Sequence, residues 1–546
     1  MLVLGLDLST QTMSAVVADF DSQEIVAAAS IPLDSLGYGT TNGVIHRGNS
    51  EVVVPSALFV AALDAVLVVL KSKVDLANVA AISGCGQQHG SIFWAKGAKE
   101  ALATLDSSRS LADQLANVFC IPEAPIWMDS STTNYCRKLE VALGGPTALA
   151  NLTGSRAYER FTGPQIAKQV HENATNFAKC ERIGLISSLL PSLLTGTYAG
   201  IDQSDASGMN ILDIHTKNWS PKVTQAIVEG STTTAETLLG LLGDPDVPHI
   251  PLHARVAPYF IARYGFNAGC RVVPFTGDNP STLAGLGVGA PGDLAVSLGT
   301  SDTAFVVVKK EDCIPNGEEG HVLVNPVDAN SFIIMLCFKN GSLVREKIRD
   351  DTASGTKTWT EFNELVLAQP VGNNGVVGFF HPDPEITPPT EVPATHIFSA
   401  AESIVPSVSI ADFAPGVVAR AVIESQMLRL RHHTRKLGVR SVHRVLVSGG
   451  ASANSVICQI LSDVFNAPVV KVADAAVSES AAAYGGVLRA IHALKSEAAG
   501  SDKFVTYEPA ITVKVVSEPN SKNAVVYEEL LPRFAVLEAK SCELSK

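Results

Sequence analysis

One pattern occurs twice in this chain. Near its start it reads Leu6-Asp7-Leu8-Ser9-Thr10-Gln11-Thr12-Met13-Ser14-Ala15-Val16-Val17, and at Val296 it returns, ungapped, as Val296-Ser297-Leu298-Gly299-Thr300-Ser301-Asp302-Thr303-Ala304-Phe305-Val306-Val307. Each copy is an apolar strand, a tight turn of small hydroxyl residues and a second apolar strand. A turn of Gly, Ser and Thr between strands offers backbone N–H groups and hydroxyls together, which is what a phosphate requires. Two copies imply two related domains that hold one polyphosphate from opposite sides, a place for phosphoryl transfer away from water.

The bulk properties narrow the class. With 546 residues the chain is long enough for two or more domains with substantial cores. Apolar residues at 46 % against 17 % charged residues describe a globular protein. A net charge of −13 argues against nucleic acid as partner but not against ATP, for which local donors matter more. Nine cysteines without a Cys-x-x-Cys read as scattered reduced thiols, so a cytoplasmic location is expected. The first strand begins at Leu2, and no signal or transit peptide is expected. Val52–Leu70 has the length of a membrane span, but Pro55, Ser56 and Asp64 favour a buried helix, with Pro55 in its first turn. No membrane association is expected.

Strand-like runs at Val79–Ser83, Val272–Phe275, Leu294–Leu298, Ser331–Leu336 and Arg444–Ser448 are interspersed with helix-like runs at Ala57–Leu70, Phe413–Lys436 and Ser455–Phe465. This is an α/β pattern. The repeat places a first domain over 1–289 and a second over 290–546, with a more polar tail from about Glu497 that should pack across a surface. Gly287-Val288-Gly289-Ala290-Pro291-Gly292 fits G-x-G-x-x-G, yet a helix precedes it and a strand follows, the reverse of a dinucleotide fingerprint. No G-x-x-x-x-G-K-[ST] occurs.

Several segments carry possible chemistry. Asp7, in the first turn, suits Mg²⁺, directly or through water, or else caps its own turn. Asp278, in Gly277-Asp278-Asn279-Pro280 after a strand, suits a general base on a hydroxyl, or else caps the helix opened by Pro280-Ser281. Ser83-Gly84-Cys85-Gly86-Gln87-Gln88-His89-Gly90 sets Gln87, Gln88 and His89 side by side, a polyol-reading segment. Arg156 and Arg160 either hold substrate or pair with acids such as Glu159. Trp127-Met128-Asp129 reads as core with a capping Asp. Ser448-Gly449-Gly450-Ala451-Ser452-Ala453-Asn454 ends a strand and opens a helix. It is either a tight turn or a close approach for a ring or phosphate.

In this order, these motifs resemble the FGGY family of carbohydrate kinases, within the wider sugar kinase, Hsp70 and actin group. The longest matching stretches are Gly86–Ile92, Trp127–Thr133, Leu152–Gly163, Phe275–Pro280, Val296–Asp302, Cys337–Ser342 and Gly449–Ser452, and they are most similar to the branch of eukaryotic type that acts on xylulose. The resemblance implies two duplicated actin-like (ribonuclease H-like) domains with a central ligand cleft, and ATP and Mg²⁺ as cofactors. It implies D-xylulose as the sugar, phosphorylated to D-xylulose 5-phosphate. By the same resemblance Asp278 is the base, and His89, Arg160, Asp278 and Asn279 contact the ketose, with Gln88 and Asp129 in the pocket. Asp7, Thr10 and Gln11 line one phosphate loop, with Asp7 near Mg²⁺, and Gly299, Thr300 and Ser301 form the other. Gly449, Gly450, Ala451 and Asn454 hold the adenosine, near Trp359. Gln88 stands where bacterial members carry Met, and the Arg-Glu of glycerol kinases is absent, which counts against glycerol. A monomer or homodimer is expected. Two alternatives stay open: a kinase for another ketose or pentitol, separable by a substrate panel, and a nucleotide-dependent regulator that closes without sugar turnover.

Overall fold

The computed structural model describes residues 1–353, 355–399, 405–500 and 505–546. The chain forms two compact units. The first takes Met1–Gly289, Val322–Asn330 and Asp474–Ile511, and the second Ala290–His321, Ser331–Ala473 and Thr512–Lys546.

Leu2–Leu8 is almost wholly apolar and is buried along its length, as a central strand covered on both faces must be. It pairs antiparallel with Thr12–Asp19, which pairs antiparallel with Ile25–Pro32. On its other edge it pairs parallel with Val79–Gly86, and Arg271–Val272 and Thr276–Gly277 continue that parallel side. The run Val272–Phe275 does not form one strand as expected: pairing with Val79–Gly86 stops after Val272 and resumes at Thr276.

The second unit repeats the order and the directions. Asp293–Leu298 is central, with Asp302–Lys309 and then Ser331–Phe338 antiparallel on one side. Arg444–Ser448 and then Val469–Val472 run parallel on the other. Three meander strands followed by two parallel ones, twice over, is the duplicated actin-like α/β fold. The Gly-rich run at 287–292 joins the end of the helix Asp278–Gly285 to Asp293–Leu298, so it is not a dinucleotide fingerprint.

Val52–Leu70 divides into the strand Glu51–Pro55 and the helix Ser56–Lys71. Pro55 is the last strand residue, with an extended ψ of 120°, and not part of the first helical turn as expected. The helix packs on Thr12–Asp19 and Ile25–Pro32. Among the described residues no helix is long and apolar enough to cross a membrane.

A second helix, Ala481–Ala499, lies against Leu2–Leu8 and Val79–Gly86 and also against Asp278–Gly285. The two helices approach closely because Gly285 and Gly485 lack side chains; a Cβ at either would collide with the other helix's backbone. The tail supplies the strand Val513–Ser517, antiparallel to Val469–Val472, and the helix Ser521–Leu544, which packs on Pro415–Lys436 and Ser455–Phe465.

Candidate active site

In the first unit the parallel strands end together, and their ends carry the polar groups. Asp7 is the last residue but one of Leu2–Leu8, and Cys85 is its register partner on Val79–Gly86. The Ser9 hydroxyl lies 2.8 and 2.7 Å from the two Asp7 carboxylate oxygens, and the Cys85 thiol points at one of them from 3.3 Å. Burial raises the Asp7 carboxyl above its ordinary range, while these two donors oppose the rise.

Asp278 stands in the first turn of Asp278–Gly285, which begins earlier than Pro280-Ser281 suggests. One of its oxygens faces the backbone N–H groups of Asn279 at 2.9 Å and Gln88 at 3.3 Å. Burial and then the Asp7 charge lift its pKa to about 7, against opposition from these N–H groups. A carboxylate tuned so close to neutrality suits a general base. The acidic limb of kcat/KM, which reports the free enzyme, is therefore expected to rise through about pH 7 as Asp278 loses its proton. A limb lying wholly below pH 5 would contradict this assignment.

Gln88 links these groups. Its carbonyl oxygen accepts from the Asn279 amide at 2.8 Å, and its NH₂ reaches Asp205 at 3.5 Å. Asp205 also accepts from the Ser187 hydroxyl at 2.6 Å, and burial followed by the Asp202 charge raises its pKa to about 8.

His89 has a left-handed backbone, φ 70°, which costs a non-glycine residue about 1–2 kcal/mol. Its ring stacks on Phe161 at 4.5 Å between centroids, and its Nδ1 lies 3.0 Å from the Gly208 carbonyl. A carbonyl only accepts, so Nδ1 carries the proton and Nε2 the lone pair. Burial and the nearby Arg160 charge hold the pKa at about 3, so the ring stays neutral. The Arg160 guanidinium lies over the Tyr158 ring at 4.9 Å.

Thr10 accepts from the indole N–H of Trp127 at 2.9 Å. The half-exposed Trp127 thus sits at the turn that also holds Gln11, whose carbonyl accepts from the Leu33 N–H. Asp129 is turned inward. Its oxygens take the Ser131 N–H and hydroxyl, the Gln165 amide and the Val52 N–H, all within 3.1 Å, so it fixes the loop behind the pocket. Arg156 pairs with Glu140.

The second unit holds the other turn. The Gly299 and Thr300 carbonyls accept from the N–H groups of Ser342 and Gly341 at 2.8 and 3.2 Å. Just beyond, Asp302 forms a two-bond pair with Arg345 at 2.7 and 2.9 Å, fully buried, which also takes in Gln426 and the Ser342 hydroxyl. A cavity of about 680 Å³ opens beside this turn, lined by Gly299, Thr300, Trp359, Gly450, Ala451 and Asn454, among others. That volume suits a nucleotide-sized ligand. Asn454 caps the helix Ser455–Phe465 through the Val456 N–H at 3.0 Å and donates to Asn363 at 2.9 Å, so it shapes the wall. Arg349 stacks on the Trp359 ring at 4.8 Å. Gly449, at φ 81°, lies against the Leu298 carbonyl, 2.6 Å from where a Cβ would stand. Gly449→Ala is expected to push these two segments apart and raise the KM for ATP at least fivefold, with the sugar KM little changed; steady-state kinetics checks both.

Sequence reasoning missed Asp205, Ser187 and Arg489. Arg489 is buried and donates to the Gly84 and Pro274 carbonyls at 3.1 and 2.8 Å, tying together the strand ends that lead to Gln88 and Asp278. The available signals were an Asp-x-x-Asp at 202–205 and one Arg inside an apolar helix.

One unit gathers carboxylates and amide side chains at its strand ends, and the other holds a nucleotide-sized cavity, on the duplicated actin-like fold. Residues 113–285 match the FGGY family of carbohydrate kinases, N-terminal domain, and residues 294–494 its C-terminal domain. The chain belongs to this family. It is 42 % identical to xylulose kinase of Rattus norvegicus over 542 residues, covering 98 % of this chain and 96 % of that one. It is 44 % identical to xylulose kinase 2 of Arabidopsis thaliana over 504 residues, covering 90 % and 87 %. The crystal structure of xylulose kinase from Bifidobacterium adolescentis shares the fold, with a TM-score of 0.74 at 21 % identity over 97 % of this chain and 99 % of that one.

Proposed function

We propose that this protein transfers the γ-phosphoryl group of ATP to the primary 5-hydroxyl of D-xylulose. The observation that carries the reading is Asp278: half-buried, tuned to about 7, and set beside Asn279, Gln88 and the segment bearing His89. The substrate follows from the two relatives above, both named xylulose kinase and both similar over most of the chain.

In this reading the neutral His89 accepts from a sugar hydroxyl through Nε2, and Arg160 donates to another. Asn279, held by Gln88, fixes the ketose against Asp278. Asp278 takes the proton of the attacking hydroxyl as its oxygen bonds to the γ-phosphorus and the bond from that phosphorus to the β-phosphate oxygen breaks, releasing ADP. Each turn, at 9–11 in the first unit and 299–301 in the second, offers N–H groups and hydroxyls to phosphate, and the cavity beside Trp359 and Gly450 takes the adenosine. The first unit thus serves the sugar and the second the nucleotide.

The residues fit Mg²⁺. The Asp7 carboxylate concentrates negative charge beside Asp278, and among the described residues its side-chain donors are the Ser9 hydroxyl and the Cys85 thiol. When bound, the ion offsets the charge on the transferred group and its leaving oxygen.

The test is coupled ADP release with MgATP over a panel of ketopentoses, pentitols and glycerol. Strong stimulation by D-xylulose supports the assignment. Stimulation by another sugar keeps the chemistry and moves the substrate, and no stimulation by any sugar overturns the reading.

A further inference from the structure

We propose that His432, His433 and Glu538 form a zinc site that fastens the C-terminal helix Ser521–Leu544 to the helix Pro415–Lys436. All three belong to the second unit. None is among the residues placed around the sugar or the nucleotide.

The ligand atoms of the three side chains lie within 4.8 Å of one another. Glu538 Oε2 is 3.1 Å from His433 Nε2 and 3.7 Å from His432 Nε2. Ligand atoms at about 2.0–2.1 Å around a tetrahedral zinc stand roughly 3.3–3.4 Å apart, so both separations fall close to that spacing. Two histidines and a carboxylate are a zinc donor set with one position open.

A second observation is independent of the spacing. Glu538 Oε1 and His433 Nε2 are buried and have no hydrogen-bond partner. Despite its 3.1 Å approach, the Glu538–His433 contact is not aligned as a hydrogen bond. Buried polar atoms are almost always satisfied, and an ion held between His433 Nε2 and Glu538 Oε2 would satisfy the ring nitrogen. The outer contacts agree. His433 Nδ1 bonds to Glu319, which fixes the tautomer that leaves Nε2 facing Glu538. A carboxylate behind a ligating histidine is the usual support of a zinc ligand. Lys436 in turn pairs with Glu319.

The site would stiffen more than the tail. The same helix carries Gln426 and Arg429, which donate to the Asn340 carbonyl at 3.0 and 3.3 Å, and Asn340 precedes the segment that holds the 299–301 turn.

The experiment uses the full chain, stripped with a chelator and titrated with Zn²⁺ against a chromophoric competitor. Co²⁺ is then substituted to read the geometry. One Zn²⁺ per chain is expected, with Kd below about 1 µM, intense tetrahedral Co²⁺ bands, and a melting temperature raised by zinc. His432→Asn and Glu538→Gln should each weaken binding at least a hundredfold. His432 is partly exposed, so its variant should fold even if the other does not. No binding tighter than about 10 µM, octahedral Co²⁺ bands, or affinity unchanged in His432→Asn would overturn the proposal.

Discussion

Asp278→Asn is expected to lower kcat by about 10²–10⁴-fold while leaving the affinity for ATP within a factor of two. The amide keeps the shape of the carboxylate and can still accept the Gln88 and Asn279 N–H groups, so the loop should hold its form. It cannot take a proton from the attacking hydroxyl. The sugar KM should therefore change little and the loss should fall on kcat. Residual turnover above a tenth of the wild-type rate would remove Asp278 from the role of base. The companion measurement is ATP hydrolysis without sugar. If Asp278 serves only the sugar hydroxyl, that slow background need not fall in proportion.

Arg345→Met is expected to destabilise the second unit by about 3–5 kcal/mol, because it strands the fully buried Asp302 without its cation. For a unit of this size that corresponds to a fall in its melting temperature of roughly 6–20 °C. Combining it with Asp302→Asn should recover part of the loss, since an amide tolerates burial better than an unpaired charge. A thermal melt of the single and double variants checks both statements, and a loss below about 1 kcal/mol would show that the pair is not what holds this region. ATP binding should weaken in step, because Asp302 follows directly on the 299–301 turn and the Ser342 hydroxyl bonds to Arg345.

The two turns were legible in the sequence because a strand–turn–strand phosphate loop is local: its strands are near-continuous apolar runs and its turn is a short string of small residues. Asp278 was legible for a related reason, as an acid between an apolar run and a helix start. What could not be read depends on groups far apart in the chain. Asp205 enters the pocket through Gln88, 117 residues earlier. Arg489 ties down Gly84 from 405 residues away. Asp129 shows the opposite case. Its neighbours suggest a capping acid, which its bonds to Ser131 match, but only the fold shows that Gln165 and Val52 also occupy its oxygens.

The helix Ala481–Ala499 belongs to the first unit although it arrives after most of the second has been made. A growing chain that has emerged only as far as Gly289 would have the sheet of the first unit but not the helix that covers Leu2–Leu8 and Val79–Gly86. Its apolar strands would stay exposed until some two hundred further residues had followed, a delay of tens of seconds at ordinary rates of synthesis. The first half is thus a poor candidate for expression alone, and during synthesis it is a natural client for chaperones.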